Sequence, residues 1–216
     1  MKKFSTRTIV IYALLTAMTM VATYAVKIPT VATEGYVNPG DAVLLFAGVA
    51  FGPFAGFLAG GVGSCLADLA AGYSHWIFPT FVIKGAEGFL AGLLFLAFRR
   101  MKLNKHMNAA LSIVPPAFLM VLGYFIASTI MKGSAATALL SVPANCLQAT
   151  FGVVLSFVLL FGLGKIKGFS SLVGKNYYFD YPGKGKKSAS LLTETTENTR
   201  KDSDKKKEST DLAEKN

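Results

Sequence analysis

The sequence predicts an all-α integral membrane protein: a six-helix transmembrane bundle, N-in and C-in, followed by a disordered basic C-terminal tail. Three observations carry that expectation. Of 216 residues, 52% are hydrophobic and 16% charged, with a mean hydropathy of +0.47, too apolar for a soluble domain of this length. The apolar residues are gathered into long runs: 8–26 holds 19 residues without a charge and 108–131 holds 24. Each run can cross a hydrocarbon core of about 30 Å at ~1.5 Å per residue. The formal charge of +10, finally, collects at the ends of these runs.

The first helix is expected over 8–26, preceded by Lys2, Lys3 and Arg7. Its start resembles a signal peptide, but the apolar stretch is longer than such a segment needs, and it is expected to be retained. The loop 27–40 contains Pro29, Gly35, Asn38, Pro39 and Gly40, all turn formers, and is long enough to act as a lid. Asp41 stands where an N-cap belongs for a second, short helix over 41–51. Helices over 53–72, 76–98, 108–131 and 135–164 follow. Merging 41–72 into one helix would give a rod of ~48 Å, and Gly52-Pro53 interrupts it where a turn is needed.

Parity decides the count. Five helices would put Arg99, Arg100, Lys102 and Lys105 outside, whereas six place that loop and the tail inside, leaving Lys27 and Lys132 in outer loops. The membrane domain is expected over 1–167 and a cytoplasmic polar tail over 168–216, where Lys, Ser, Thr, Glu and Asp dominate. Twelve basic residues from Lys165 onward fix the topology and can touch anionic lipid headgroups. Basic residues that flank spans in this way follow the membrane and not a nucleic acid. Cys65 and Cys146 lie in apolar runs, and neither His75 nor His106 has ligand-spaced companions, so no disulfide, metal or cofactor is expected.

Charges within a span cost about 2.5–3.5 kcal/mol each on insertion scales, so those present face a cavity or a partner. Here they are Asp68, Lys84 and Glu87, at expected depths of ~6, 12 and 16 Å below the outer surface. Asp41 starts the second helix on the same side, and Ser141, Asn145 and Gln148 form a polar stripe on the sixth. Tyr36, Asn38, Tyr73 and Trp76 surround the same mouth. Two accounts fit. Lys84 and Glu87, three apart, can simply neutralise each other while Asn145 and Gln148 glue helices together; or these ten residues, Ser141 aside, bind a flat heteroaromatic ligand, with Lys84 and Asn145 deepest. Gly52, Gly56, Gly60, Ser64 and Asp68, four apart, make a smooth packing stripe that Gly88 and Gly92 continue on the fourth helix. Ala13 and Ala17 form a small-xxx-small face on the first.

No GxxxxGK[ST] loop occurs, so the chain cannot by itself power ATP-driven transport, and no GxSxG or HExxH supports an intramembrane enzyme. The absence of a visible inverted repeat disfavours a self-contained carrier.

The stretch 36–92 resembles the substrate-binding S components of energy-coupling factor (ECF) vitamin transporters. GYVNPGD at 35–41, FGPFAGFLAGGVGSCLADLAAGY at 51–73 and FPTFVIKGAEG at 78–88 carry the resemblance. It is closest to the riboflavin, hydroxymethylpyrimidine and pyridoxine branch. The resemblance implies a non-enzymatic membrane subunit that captures a vitamin or precursor at the bacterial cell surface. It also implies one transmembrane coupling protein and two ATPases as partners, with Ala13 and Ala17 matching the family's coupling-face motif. From a different class, an autonomous ion- or proton-coupled carrier could use Asp68, Lys84 and Glu87 as a relay.

Overall fold

A computed structural model describes residues 5–30, 35–101, 103–166, 169 and 177–179. By its contacts the chain divides into Met1–Asp180 and Tyr181–Asn216, and every described residue lies in the first unit. In order, the elements are α1 (Thr6–Ala25), β1 (Ile28–Thr30), β2 (Gly35–Val37), α2 (Gly40–Phe51), α3 (Pro53–Ala71), α4 (Ser74–Met101), α5 (Lys105–Lys132) and α6 (Ala135–Gly164). The six expected helices are present among the described residues, with ends displaced by at most a few positions.

Five of them are long and apolar enough to cross a membrane; α2, at 12 residues, is not. All of α2 is buried, and it packs against each of the other five helices. Its sequence suits that central place, being apolar with Ala and Gly interspersed, so neighbours approach on every side. On the outside of the bundle, side chains such as Phe78, Phe118, Ile130 and Phe151 are exposed, the surface a bilayer would cover.

Close backbone approach builds the centre. A Cβ on Gly56 would run into the carbonyl of Gly88, and one on Gly60 into the carbonyl of Lys84. The expected four-residue stripe along α3 is interrupted, however, because Leu58–Gly63 form a π-turn. The wider turn shifts the register of everything after it, so Gly63, and not only Gly60, faces a neighbour: a Cβ added there would lie 2.7 Å from the Thr16 carbonyl of α1. At Gly52, φ of 100° lets the chain reverse between α2 and α3, a conformation that L side chains rarely adopt.

The expected lid loop contains a small antiparallel ribbon, pairing Ile28 with Val37, Pro29 with Tyr36 and Thr30 with Gly35. The all-helical expectation is corrected to that extent. Ile, Thr, Tyr and Val favour extended backbone, and Asn38, Pro39 and Gly40 follow its second strand. A second departure concerns α6, which breaks at Leu140 and Ser141 between Ala135–Leu139 and Val142–Gly164. Pro143 has no N–H to continue the ladder, and Ser141 Oγ instead donates to the Ala138 carbonyl at 2.6 Å.

Residues 177–179, assigned from sequence to the tail, pack on the membrane domain. The Tyr177 N–H donates to the Ala50 carbonyl at 2.7 Å, near the end of α2, and its ring lies over Gly52. Tyr178 is buried, with its hydroxyl 3.1 Å from His106 Nδ1, its ring 6.0 Å from that of Phe95, and the Lys105 ammonium 5.1 Å above it. Burial pushes its phenol up to about 12. The disorder expected over the remaining tail, 180–216, lies outside the described residues.

Candidate functional site

The site begins where the ribbon enters α2. Asp41 was expected to cap that helix, but the helix starts at Gly40, and it is Asn38 Oδ1 that accepts from the Gly40 N–H at 2.9 Å. The Asp41 carboxylate turns sideways instead. Its Oδ1 accepts from Lys84 Nζ of α4, and its Oδ2 accepts from Gln148 Nε2 of α6 at 3.0 Å. An ammonium this deep in a bundle demands a carboxylate, and that requirement outweighs the gain from a cap.

Lys84 Nζ also donates to Glu87 Oε2 at 3.2 Å, while Gln148 Oε1 accepts from the Asn38 backbone N–H at 3.1 Å. One continuous network thus runs from Asn38 at the exit of β2 through Gln148, Asp41 and Lys84 to Glu87, tying the ribbon to α6, α2 and α4. Asp41, Lys84, Glu87 and Gln148 are 1%, 2%, 1% and 3% exposed. Two carboxyl groups surround one ammonium, and Glu87 Oε1, also buried, has no hydrogen-bond partner among the described residues.

An aromatic wall adjoins the network. Tyr124 of α5 presents its ring 5.6 Å from Lys84 Nζ, shares a 3.1 Å hydrogen bond through its hydroxyl with Thr80 Oγ1, and meets the Trp76 ring edge-on at 5.6 Å. Trp76, Thr80, Lys84 and Glu87 are four, four and three residues apart, so they share one face of α4. Sequence reasoning missed Tyr124 and Thr80. Tyr124 offered a signal, being the single tyrosine in the apolar run 108–131, but an aromatic ring there reads first as packing.

The other expected site residues are placed less centrally. Asp68 is buried on α3, and Tyr73 is half-buried beyond that helix, its ring 6.3 Å from that of His75. Asn145 is half-buried one turn before Gln148 and makes no side-chain hydrogen bond with a described residue; of the two α6 amides, Gln148 enters the network. The side chain of Tyr36 lies outside what is described, although its backbone is in β2.

Ala13 and Ala17 are elsewhere. Both are exposed and line an apolar groove of about 510 Å³ between α1 and α3, together with Tyr12, Thr16, Phe54 and Leu58 among others. Neither is buried against the rest of the bundle.

Comparison with known proteins bears on both features. Residues 3–165 match the family model for the ECF-type riboflavin transporter, S component. An uncharacterized protein in the gap 3' region of Pyrococcus woesei is 37% identical over 135 residues, which cover 62% of this chain and 86% of that protein. A Lactococcus lactis subsp. cremoris protein named thiamine precursor transporter HmpT is 35% identical over 109 residues, 50% of this chain and 58% of that protein. The family is one of transporter subunits that capture vitamins and not a family of enzymes. Together with five helices able to cross a membrane, the match makes this a multi-pass membrane protein. The chain belongs to the ECF-type riboflavin transporter S component family.

Proposed function

We propose that this protein is the substrate-capturing subunit of an ATP-driven ECF importer in a bacterial plasma membrane, and that it binds a flat heteroaromatic vitamin or precursor at the outer face. Hydroxymethylpyrimidine, pyridoxine and riboflavin are the candidate class. The observation that carries this reading is the buried network from Asn38 to Glu87 beside Trp76 and Tyr124: fixed polar groups next to aromatic rings, at the end of the bundle where the ribbon can act as a lid. Gln148 joins it from α6, and Asn145 on α6, Asp68 on α3, Tyr73 just after α3 and Tyr36 in the lid are the further residues proposed to meet the ligand. The distribution of Lys and Arg supports both termini and the loop at 99–105 being cytoplasmic, which turns the ribbon end outward.

Energy then has to come from outside the chain, through a transmembrane coupling protein and two ATPases. The exposed Ala13 and Ala17 groove is the face offered to the coupling protein, since small residues let a partner helix approach closely. Two experiments test these claims. Mass spectrometry of small molecules that co-purify with the protein, followed by calorimetric titration of wild type, Asn145→Ala and Gln148→Ala, should identify a heteroaromatic ligand and a roughly tenfold loss of affinity in the variants. Wild-type affinity in both variants would move the pocket off α6. Uptake into cells should require the coupling protein and ATPases; uptake without them would support an autonomous ion-coupled carrier instead.

A further inference from the structure

We infer that the ligand meets Glu87 through an N–H group, so that the site selects flat heteroaromatics carrying an amino or imide N–H and rejects their anionic esters. This rests on the reading of the site as the vitamin pocket and specifies what it recognises.

The argument starts from an imbalance of donors and acceptors. Lys84 Nζ is engaged by Asp41 and by Glu87 Oε2, and Gln148 Nε2 by Asp41 Oδ2. The network thus spends its side-chain donors on three of the four carboxyl oxygens, leaving Glu87 Oε1 buried without a partner among the described residues. A buried carboxyl oxygen left unsatisfied costs free energy that a bound N–H recovers. The aromatic side of the same cluster, Tyr124 with Trp76 against its edge, supplies ring surface around the same ammonium, since Lys84 Nζ lies both 3.2 Å from Glu87 Oε2 and 5.6 Å from the Tyr124 ring centre. A ring bearing an N–H can therefore use both features at once.

The same inventory argues against an anion. Among the described residues the one ammonium in the cluster already faces two carboxyl groups, so a phosphate or carboxylate on the ligand would add a third acidic group with no further described cation to receive it. Like-charge juxtaposition of this kind costs several kcal/mol, which corresponds to a selectivity of about a hundredfold or more.

The experiment uses the full-length purified protein, with Trp76, the single tryptophan of the chain, as fluorescence reporter and calorimetry as a check. The probes come in pairs: the aminopyrimidine hydroxymethylpyrimidine and its counterpart with hydrogen in place of the amino group, and riboflavin and its analogue methylated on the imide nitrogen. The phosphate ester of each parent completes the set. For the parent that binds, the blocked analogue should bind about 10- to 100-fold more weakly and the phosphate ester about a hundredfold more weakly. Glu87→Gln should weaken the parent by a factor similar to that of the blocked analogue while leaving the analogue's own affinity unchanged, an outcome that general damage to the fold would not produce. If Glu87→Gln does not fold, the analogue and ester comparisons on wild type still decide. A blocked analogue that binds wild type as tightly as its parent, or an ester that matches the alcohol, overturns this inference and leaves the proposed function standing. If neither parent binds wild type while pyridoxine does, this inference falls and the proposed function stands; if none of the three binds, the proposed function falls and this inference with it.

Discussion

Replacing Lys84 by Met tests whether the buried cluster is held by its one ammonium. Methionine keeps most of the length and volume of the lysine stem, so the packing of α4 against α2 and α3 changes little and the charge alone is removed. Asp41 would retain the Gln148 Nε2 hydrogen bond, whereas Glu87 would keep no donor among the described residues. Removing one partner of a buried pair costs about 3–5 kcal/mol, against a total folding stability on the order of 5–15 kcal/mol, so Lys84→Met should be severely destabilised. The companion is the triple variant Asp41→Asn, Lys84→Met, Glu87→Gln, which buries no formal charge and should recover to within about 2 kcal/mol of wild type. Lys84→Met and Glu87→Gln should also be non-additive, by about 0.5–3 kcal/mol, because they share one contact. The assay is thermal unfolding in detergent, following monodispersity and helical signal. Lys84→Met unfolding together with wild type, or a triple variant no better than Lys84→Met alone, would refute the account of this cluster.

Four further outcomes follow from particular contacts. Gln148→Leu strips the acceptor from the Asn38 N–H and the donor from Asp41 Oδ2, so ligand dissociation, read by stopped-flow Trp76 fluorescence, should quicken by about tenfold or more; an unchanged rate would detach the ribbon from the network. Gly56→Val drives a branched side chain into the Gly88 carbonyl and should destabilise the bundle by about 1–3 kcal/mol, which denaturant titration would show. Ala17→Trp fills the exposed groove, so uptake should fall in cells carrying the coupling protein and ATPases while ligand affinity in detergent persists; equal loss of both would assign Ala17 to the bundle's own packing. For Tyr178 the native state keeps a proton up to about 12 that the unfolded chain releases near the ordinary value of 10.0, so its contribution to stability is full below that ordinary value and is lost as pH rises through about 12. Tyr178→Phe, with no proton to lose, should flatten that part of the alkaline stability profile.

What could be read from sequence and what could not divide along the distance over which a side chain acts. Span positions were legible because a bilayer imposes length and excludes charge, and both constraints act on consecutive residues. The Lys84–Glu87 contact was legible for the same reason, being three residues apart on one helix. Asp41 and Gln148 were legible as polar residues near membrane depth, but their mutual pairing was not: 107 positions separate them, and only the packing of α2 against α6 brings them together. That pairing also explains the failure of the N-cap expectation for Asp41, since local rules for helix ends assume a side chain with nothing better to bind. The π-turn at Leu58–Gly63 escaped because a stripe of small residues spaced by four is consistent with an uninterrupted helix, and only contact with α1 reveals the shifted register.

The segment 177–179 shows the same limit in composition and not in spacing. Its surroundings, rich in Lys, Ser and Thr, argue for a solvated tail, and averaged over a window they outweigh three aromatic residues. The physical question is local: Tyr177, Tyr178 and Phe179 are consecutive, and consecutive rings in an otherwise polar stretch are costly to leave in water. In the structure each finds a different surface, Tyr177 over Gly52 after the end of α2, Tyr178 between Phe95 and His106, and Phe179 with its ring 6.4 Å from that of Phe46. The family match ends at residue 165, before these rings, so neither composition nor kinship pointed to them. Their contacts join α2, α4 and α5 at the end of the bundle opposite the ribbon, the cytoplasmic end if the charges orient the chain as proposed. A truncation placed at the sequence-derived boundary of 167 would therefore remove packing from the membrane domain itself, and loss of function in such a variant could not be ascribed to the tail alone.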